Sequence, residues 1–212
     1  MADPLTILGL SYAGKEAVAV VGQFTRDIFG PSARAIGDGM AAPLRAWADR
    51  RAKRAEQLVT DAALSVDAAG GIAHPVPGRI LFPILERGSV EEDETLRQKW
   101  VVLLARASMA PDSIPPMYPA ILAELGATDA QILDWVHCAP AGSEGKTLQR
   151  AIRETGNDSE TMTLSISNLE RLRLLVPSTP LLTREHFLEH QLVHLYLSPL
   201  GAAFVRAVGT EA

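Results

Sequence analysis

Cysteine is almost missing from this sequence. Cys138 stands alone, so neither an intrachain disulfide nor a zinc cluster built on cysteines is available. A reducing compartment suits such a chain. Aromatic residues are scarce at 5 %, which leaves Leu, Val, Ile and Ala to build any core. An excess of positive charge is also missing. The net charge of −5 argues against nucleic-acid binding by bulk electrostatics and leaves only a local basic patch for that purpose. No run approaches the roughly 18 uncharged apolar residues that a membrane span requires. The opening MADPLTILGLSYAGKEAVAVVGQF has no basic n-region, and Lys15 and Glu16 split its apolar character. It reads poorly as a secretory signal, and a cytoplasmic protein is expected. There is no internal repeat and no low-complexity segment.

What is present is ordinary globular composition: 212 residues, 47 % apolar and 21 % charged, enough for one or two domains. Helical periodicity dominates. Val18, Val21 and Ile28 repeat along residues 14–29, and Gly30-Pro31 breaks that segment. Pro43 opens a long helix to about Ala68 with the stripe Leu44, Trp47, Ala48, Ala52, Ala55, Leu58, Val59, Ala62 and Val66. Gly70-Gly71 stops it. Short helices are expected at Arg79–Glu86, bent or begun near Pro83, and at Ala120–Leu125. Beyond Gly126 the expected helices are Thr128–His137, Thr147–Arg153 and Ser159–Leu175. Val176–Pro180 reads as a turn. Leu192–Leu197 has strand alternation, and Ser198-Pro199 caps a last helix to Val208. The expected fold is mainly α. An N-terminal apolar helical segment (1–30) and a helical domain (31–126) precede a winged helix-turn-helix-like domain (127–212) with a small β-hairpin.

The most conspicuous charge run is Glu91-Glu-Asp-Glu94, ahead of an apolar stretch centred on Trp100. Ser89 followed by Glu92 matches a capping box, and acids in a first helical turn favour the positive end of the helix dipole. The run therefore reads as a helix start and not as a metal or catalytic centre. Val90, Leu96, Trp100, Leu103, Leu104 and Ala107 fall on one face. Asp93 falls on that face too. Its carboxylate is expected to pair with Arg97, making Asp93, Arg97 and Trp100 a structural ion-pair centre.

Three other signals bear on chemistry. His186-Phe-Leu-Glu189-His190 matches H-x-x-E-H, and His194 continues the spacing. Two histidines four apart on a helix could ligate zinc with the glutamate as general base. The segment drifts into strand character and offers no further ligand, so exposed histidines on a hairpin compete with a hydrolase reading. Ser143-Glu-Gly-Lys146-Thr147 resembles the end of a phosphate loop, but Pro140 occupies the place of the earlier glycine and a helix precedes it. Arg45, Arg50, Arg51, Lys53 and Arg54 against Asp49 make a basic helix face, either solvated or a contact surface for a phosphate backbone or anionic lipid. Arg171 and Arg173 are the candidate nucleic-acid contacts if the C-terminal domain is a transcription regulator.

Several segments together resemble the abortive-infection alpha (Abi-alpha) family of bacteria. They are Phe29-Gly-Pro-Ser-Ala-Arg-Ala-Ile-Gly37, Val76-Pro77 through Ile84-Leu-Glu86, Val90-Glu-Glu-Asp93 through Trp100 to Leu103-Leu-Ala105, and Ser198-Pro-Leu-Gly201-Ala-Ala-Phe204-Val205. Arg106 stands where the family pattern has Asn. The resemblance implies a role in phage defence and supplies no catalytic residues. It points to a non-enzymatic effector or sensor without a cofactor, acting through a protein partner or phage component, a membrane or a nucleic acid. A homo-oligomer is expected, because the apolar helices outnumber what two small cores can bury.

Overall fold

The computed structural model describes the backbone of residues 42–138, 147–178 and 193–209, with side chains from residue 53 onward. The residues divide into two compact units, up to Ala123 and from Glu124 onward. Among the described residues there are eight helices and one two-stranded antiparallel sheet. The expected helix at 14–29 and the segment from Phe29 to Gly37 lie outside them.

In the first unit, α1 (Ala42–Ala68), α2 (Gly78–Gly88), α3 (Glu94–Met109) and the short α4 (Tyr118–Ala123) enclose one core. The 3–4 spacing of α1 turns Leu58, Val59, Ala62, Ala63 and Val66 inward against α3. Helix α2 continues through Pro83, and Ile80, Leu81 and Ile84 form its buried stripe. Helix α3 supplies the centre: Leu96, Trp100, Leu103, Leu104 and Ala107 are buried, as the wheel predicts, while Val90 before it is only half-buried. Gly88 is the point of closest packing. A Cβ there would press on Leu58 Cδ2 and on Trp100 Cβ and Cγ at 3.0–3.2 Å.

The second unit consists of α5 (Ala127–Cys138), α6 (Leu148–Thr155), α7 (Ser159–Arg171), strands β1 (Leu175–Pro177) and β2 (Leu195–Leu197), and α8 (Pro199–Val208). Its core joins Ile132, Leu133, Met162, Ile166, Leu169, Leu195 and Phe204. The β1–β2 register pairs Leu175 with Leu197, Val176 with Tyr196 and Pro177 with Leu195. An isolated bridge sets Thr147 against His194, with Leu148 N donating to Val193 O.

Two sequence expectations change here. Helix α7 ends at Arg171, and residues 175–177, expected as helix end and turn, are strand. The reason is a Schellman closure. Leu174 N donates to Leu169 O at 2.8 Å and Arg173 N to Glu170 O at 2.9 Å, with Arg173 at φ 58. Glycine is the usual residue at that position, and its absence hid the helix end.

This corner is held by α8. Ser198 caps α8 by accepting from Gly201 N, donates its hydroxyl to Arg173 O, and gives its own N–H to Leu174 O. Gly201 lies so close to the Leu174 carbonyl that a Cβ would collide with its oxygen.

Two measurements of urea-unfolding midpoint check this corner. Helix propensity alone says Gly201→Ala should stabilise by about 1 kcal/mol. The collision with a backbone carbonyl that cannot step aside reverses the sign, and a loss of about 2–3 kcal/mol is expected. Arg173→Gly removes left-handed strain of about 1–2 kcal/mol and adds unfolded-state entropy of about 0.4–1 kcal/mol, so a small gain is expected. A stabilised Gly201→Ala or a destabilised Arg173→Gly would show that the corner is drawn wrongly.

Candidate functional site

The charged residues of the first unit gather where α1, α2 and α3 meet. Asp93 is the N-cap of α3: its Oδ1 accepts from Leu96 N at 3.0 Å. The expected Asp93–Arg97 ion pair is replaced. Arg97 lies one turn inside the helix, and its guanidinium turns away from the cap toward α1. Arg97 Nη1 donates to Asp61 Oδ2 at 2.7 Å, while Nε and Nη2 donate to the two oxygens of Glu94 at 2.8 and 2.9 Å. The expected Ser89–Glu92 capping box is also replaced. The Ser89 hydroxyl donates backward to Glu86 O at the end of α2, and the helix starts after Asp93 instead. Glu91 Oε1 accepts from the amides of Glu92 and Asp93, both at 3.0 Å, and so shapes the connecting loop.

Hydrogen bonds to Arg97 hold Glu94 below the usual carboxylate range. The same bonds from Glu94, then Asp61, push the Arg97 guanidinium upward, so its charge is permanent. Arg54 stands 3.6 Å from Glu92 at the mouth of a cleft of about 190 Å³, lined also by Gln57, Gly88, Glu91 and Arg97. Cations and acids balance in this cleft. Lys53 and Arg54 are exposed on α1. Arg45, Arg50 and Arg51 lie on the same helix, their side chains outside the described residues. Trp100, the third member of the expected centre, is 1 % exposed and its indole N–H has no hydrogen-bond partner.

In the second unit a polar network ties α7 to the start of α5. Asp129 is 5 % exposed and accepts from Gly126 N at 2.9 Å and from Asn168 Nδ2 at 2.8 Å. Asn168 Oδ1 accepts from Arg171, whose Nη2 reaches Glu124 Oε2 at 2.6 Å. Arg171 is thus committed inside the unit, whereas Arg173 is exposed at the corner. Helix α7 carries no other cation; its outer face shows Glu160, Leu164, Ser167 and Glu170. Glu154 joins α6 to α5 by accepting from Trp135 Nε1 at 2.8 Å and Arg150 Nε at 2.7 Å. Those two hydrogen bonds, that of Trp135 first, lower its pKa.

His194 sits in the Thr147 bridge, with its ring 6.3 Å from that of Tyr196. His186 and His190, with the phosphate-loop-like stretch before Thr147, lie outside the described residues. Among the described residues no three His, Cys, Asp or Glu side chains come together as a metal site, and no helix is long and apolar enough to cross a membrane.

Sequence reasoning missed Asp61, Asp129 and Asn168. A local signal existed for Asp129, three residues after the helix-opening Gly126. None existed for Asp61, which lies 36 residues from its partner.

Residues 48–208 match the family described as abortive infection alpha, a span that includes both charge networks and both cores. The chain belongs to the abortive infection alpha family. No curated protein matches the chain, and no solved structure does. Of the segments that carried the resemblance to this family, Asp93–Trp100 and Ser198–Gly201 prove to be helix caps and close contacts.

A double-mutant cycle separates the observed Arg97 partner from the expected one. Asp61→Asn with Arg97→Met should show a coupling of about 1 kcal/mol, since the pair is about a third exposed and the solvent screens it. Asp93→Ala should cost about 1 kcal/mol as a lost cap and add independently to Arg97→Met. Coupling with Asp93 and none with Asp61 would reverse the assignment.

Proposed function

We propose that this abortive infection alpha protein acts in phage defence through contact with a partner and not through chemistry at a site of its own. The family match across both units carries this reading. The disposition of polar groups supports it. Asp93, Thr147, Asp158 and Ser198 are occupied as helix caps, and Arg97, Arg150 and Arg171 are occupied by carboxylates of their own unit. General acid–base work calls for groups tuned toward the working pH. The hydrogen-bonded carboxylates Glu94, Glu154 and Asp158 run the other way, each held below the usual carboxylate range by the groups that donate to it. Burial raises Glu56, a helix-surface carboxylate beside Lys53.

We further read the second unit as a winged helix. The order of three helices, a two-stranded ladder and a closing helix supports this, as does the Thr147–His194 bridge that adds a third short segment to the ladder. In that reading α7 is the helix that would enter a DNA groove. Its one cation is held by Glu124 and Asn168 and its outer face carries two glutamates, so protein contact is favoured over a duplex.

The test is phage challenge of bacteria expressing the chain, with plating efficiency and survival of infected cells read together. Fewer plaques accompanied by death of infected cells are expected, and the destabilised Gly201→Ala variant should lose the effect. Unchanged plaque numbers over a varied phage panel, with the protein folded and expressed, would overturn the reading.

A further inference from the structure

Between α4, which ends at Ala123, and α5, which begins at Ala127, Glu124, Leu125 and Gly126 lie outside any helix or strand. Side chains of the second unit fasten them. Glu124 O accepts from Asn168 Nδ2 at 3.1 Å, and Glu124 Oε2 accepts from Arg171 Nη2 at 2.6 Å. Gly126 N donates to Asp129 Oδ2 at 2.9 Å, and the same oxygen accepts from Asn168 Nδ2 at 2.8 Å. Leu125, between the two fastened residues, is buried. The first unit ends at Ala123, so this is the segment by which the chain passes from one unit into the other.

Asn168 and Arg171 both stand in the last turn of α7. Asn168 Oδ1 accepts from Arg171 Nη2 at 2.7 Å and from Nε at 3.2 Å, so the two side chains grip the segment together. The ends of the network differ in exposure. Asp129 is 5 % exposed, whereas the side chains of Arg171 and Glu124 are 59 % and 49 % exposed. An ion pair so open to water is the weakest link and the first to part. Arg171 also lies two helical turns beyond the exposed Leu164, on the same side of α7. A contact made on that side meets Arg171.

We propose that Asn168 and Arg171 form a latch on the segment Glu124-Leu125-Gly126. While Arg171 holds Glu124 the segment is closed. When a contact on the outer side of α7 draws Arg171 away, the segment opens locally and the core of the second unit stays folded. Opening exposes Leu125 and gives up its apolar burial, so the closed form is the resting one. Occupancy of α7 is in this way felt where the chain passes between the units. The link to a partner rests on the reading of α7 as the contact helix. The latch itself is internal to the second unit and is tested without a partner.

Native-state hydrogen exchange of the Gly126 amide, followed by NMR beside that of Ile166 in the core, tests it, because such exchange separates local opening from global unfolding. Arg171→Met stands for the withdrawn latch. It should speed Gly126 exchange about threefold, the size expected of a solvent-exposed ion pair, with the Ile166 rate unchanged. Glu124→Ala removes the other partner and should give a similar rise, and the double variant should add little to either single one. Raising salt should speed Gly126 exchange in the wild-type chain and leave Arg171→Met unaffected. A Gly126 rate that stays the same in both single variants, or that rises only in step with Ile166, would overturn the proposal. So would a double variant whose effect is the sum of the two.

Discussion

The first unit depends on the contact of Gly88 with Trp100 and Leu58, where α2, α3 and α1 come within a hydrogen atom's allowance of one another. Trp100 is almost fully buried there with its indole N–H unpaired. A buried donor left unmade costs about 1–3 kcal/mol. A tryptophan buries up to about 250 Å², worth about 6 kcal/mol at 25 cal/mol/Å². Burial wins, so the ring stays where three helices converge despite the orphaned donor. Gly88 follows from this, since any side chain would have to push the ring or Leu58 aside. The flanking polar residues then have fixed work. Ser89 closes α2, Glu91 turns the loop, Asp93 opens α3, and Arg97 ties α3 back to α1 through Asp61.

The second unit solves a comparable problem with backbone instead of a ring. The chain leaves α7 through a left-handed residue and must become a strand within three positions. Ser198 and Gly201 secure that turn from the far end of the sequence, one by hydrogen bonds and the other by having no side chain. Pro177 on β1 and Pro199 at the first turn of α8 suit their places, since an edge strand and a helix start both tolerate a missing N–H.

The helices were legible because their apolar spacing is regular over many residues. Helix α1 was read within a residue of its start, and the buried face of α3 was read almost residue for residue. The misreadings have separate causes. Asp93 lies on the apolar side of the helical wheel because a cap must face the first turn, and that looks like burial when the wheel is drawn one turn too early. Arg97 has three acids within reach in sequence, but its outer partner comes from a helix 36 residues away. Strand β1 was hidden behind an arginine where a glycine would have marked the helix end. For Arg97 a tertiary contact overrode a local preference, whereas Asp93 and the end of α7 are local motifs whose sequence signals were read in the wrong frame.

The residues that made the family recognisable are largely those that make the architecture possible. Asp93 opens a helix, Trp100 fills a core, and Ser198 and Gly201 hold a corner. Asp93, Ser198 and Gly201 are committed to caps and close contacts within their own unit, and Trp100 is buried among three helices. Among the described residues, the surfaces that the architecture leaves open include the outer side of α7, with Leu164 exposed, and the Val176–Tyr196 pair on the ladder. A framework held by caps and close contacts tolerates change on those faces at little cost to stability. Substitution there changes what the surface presents while the fold is kept.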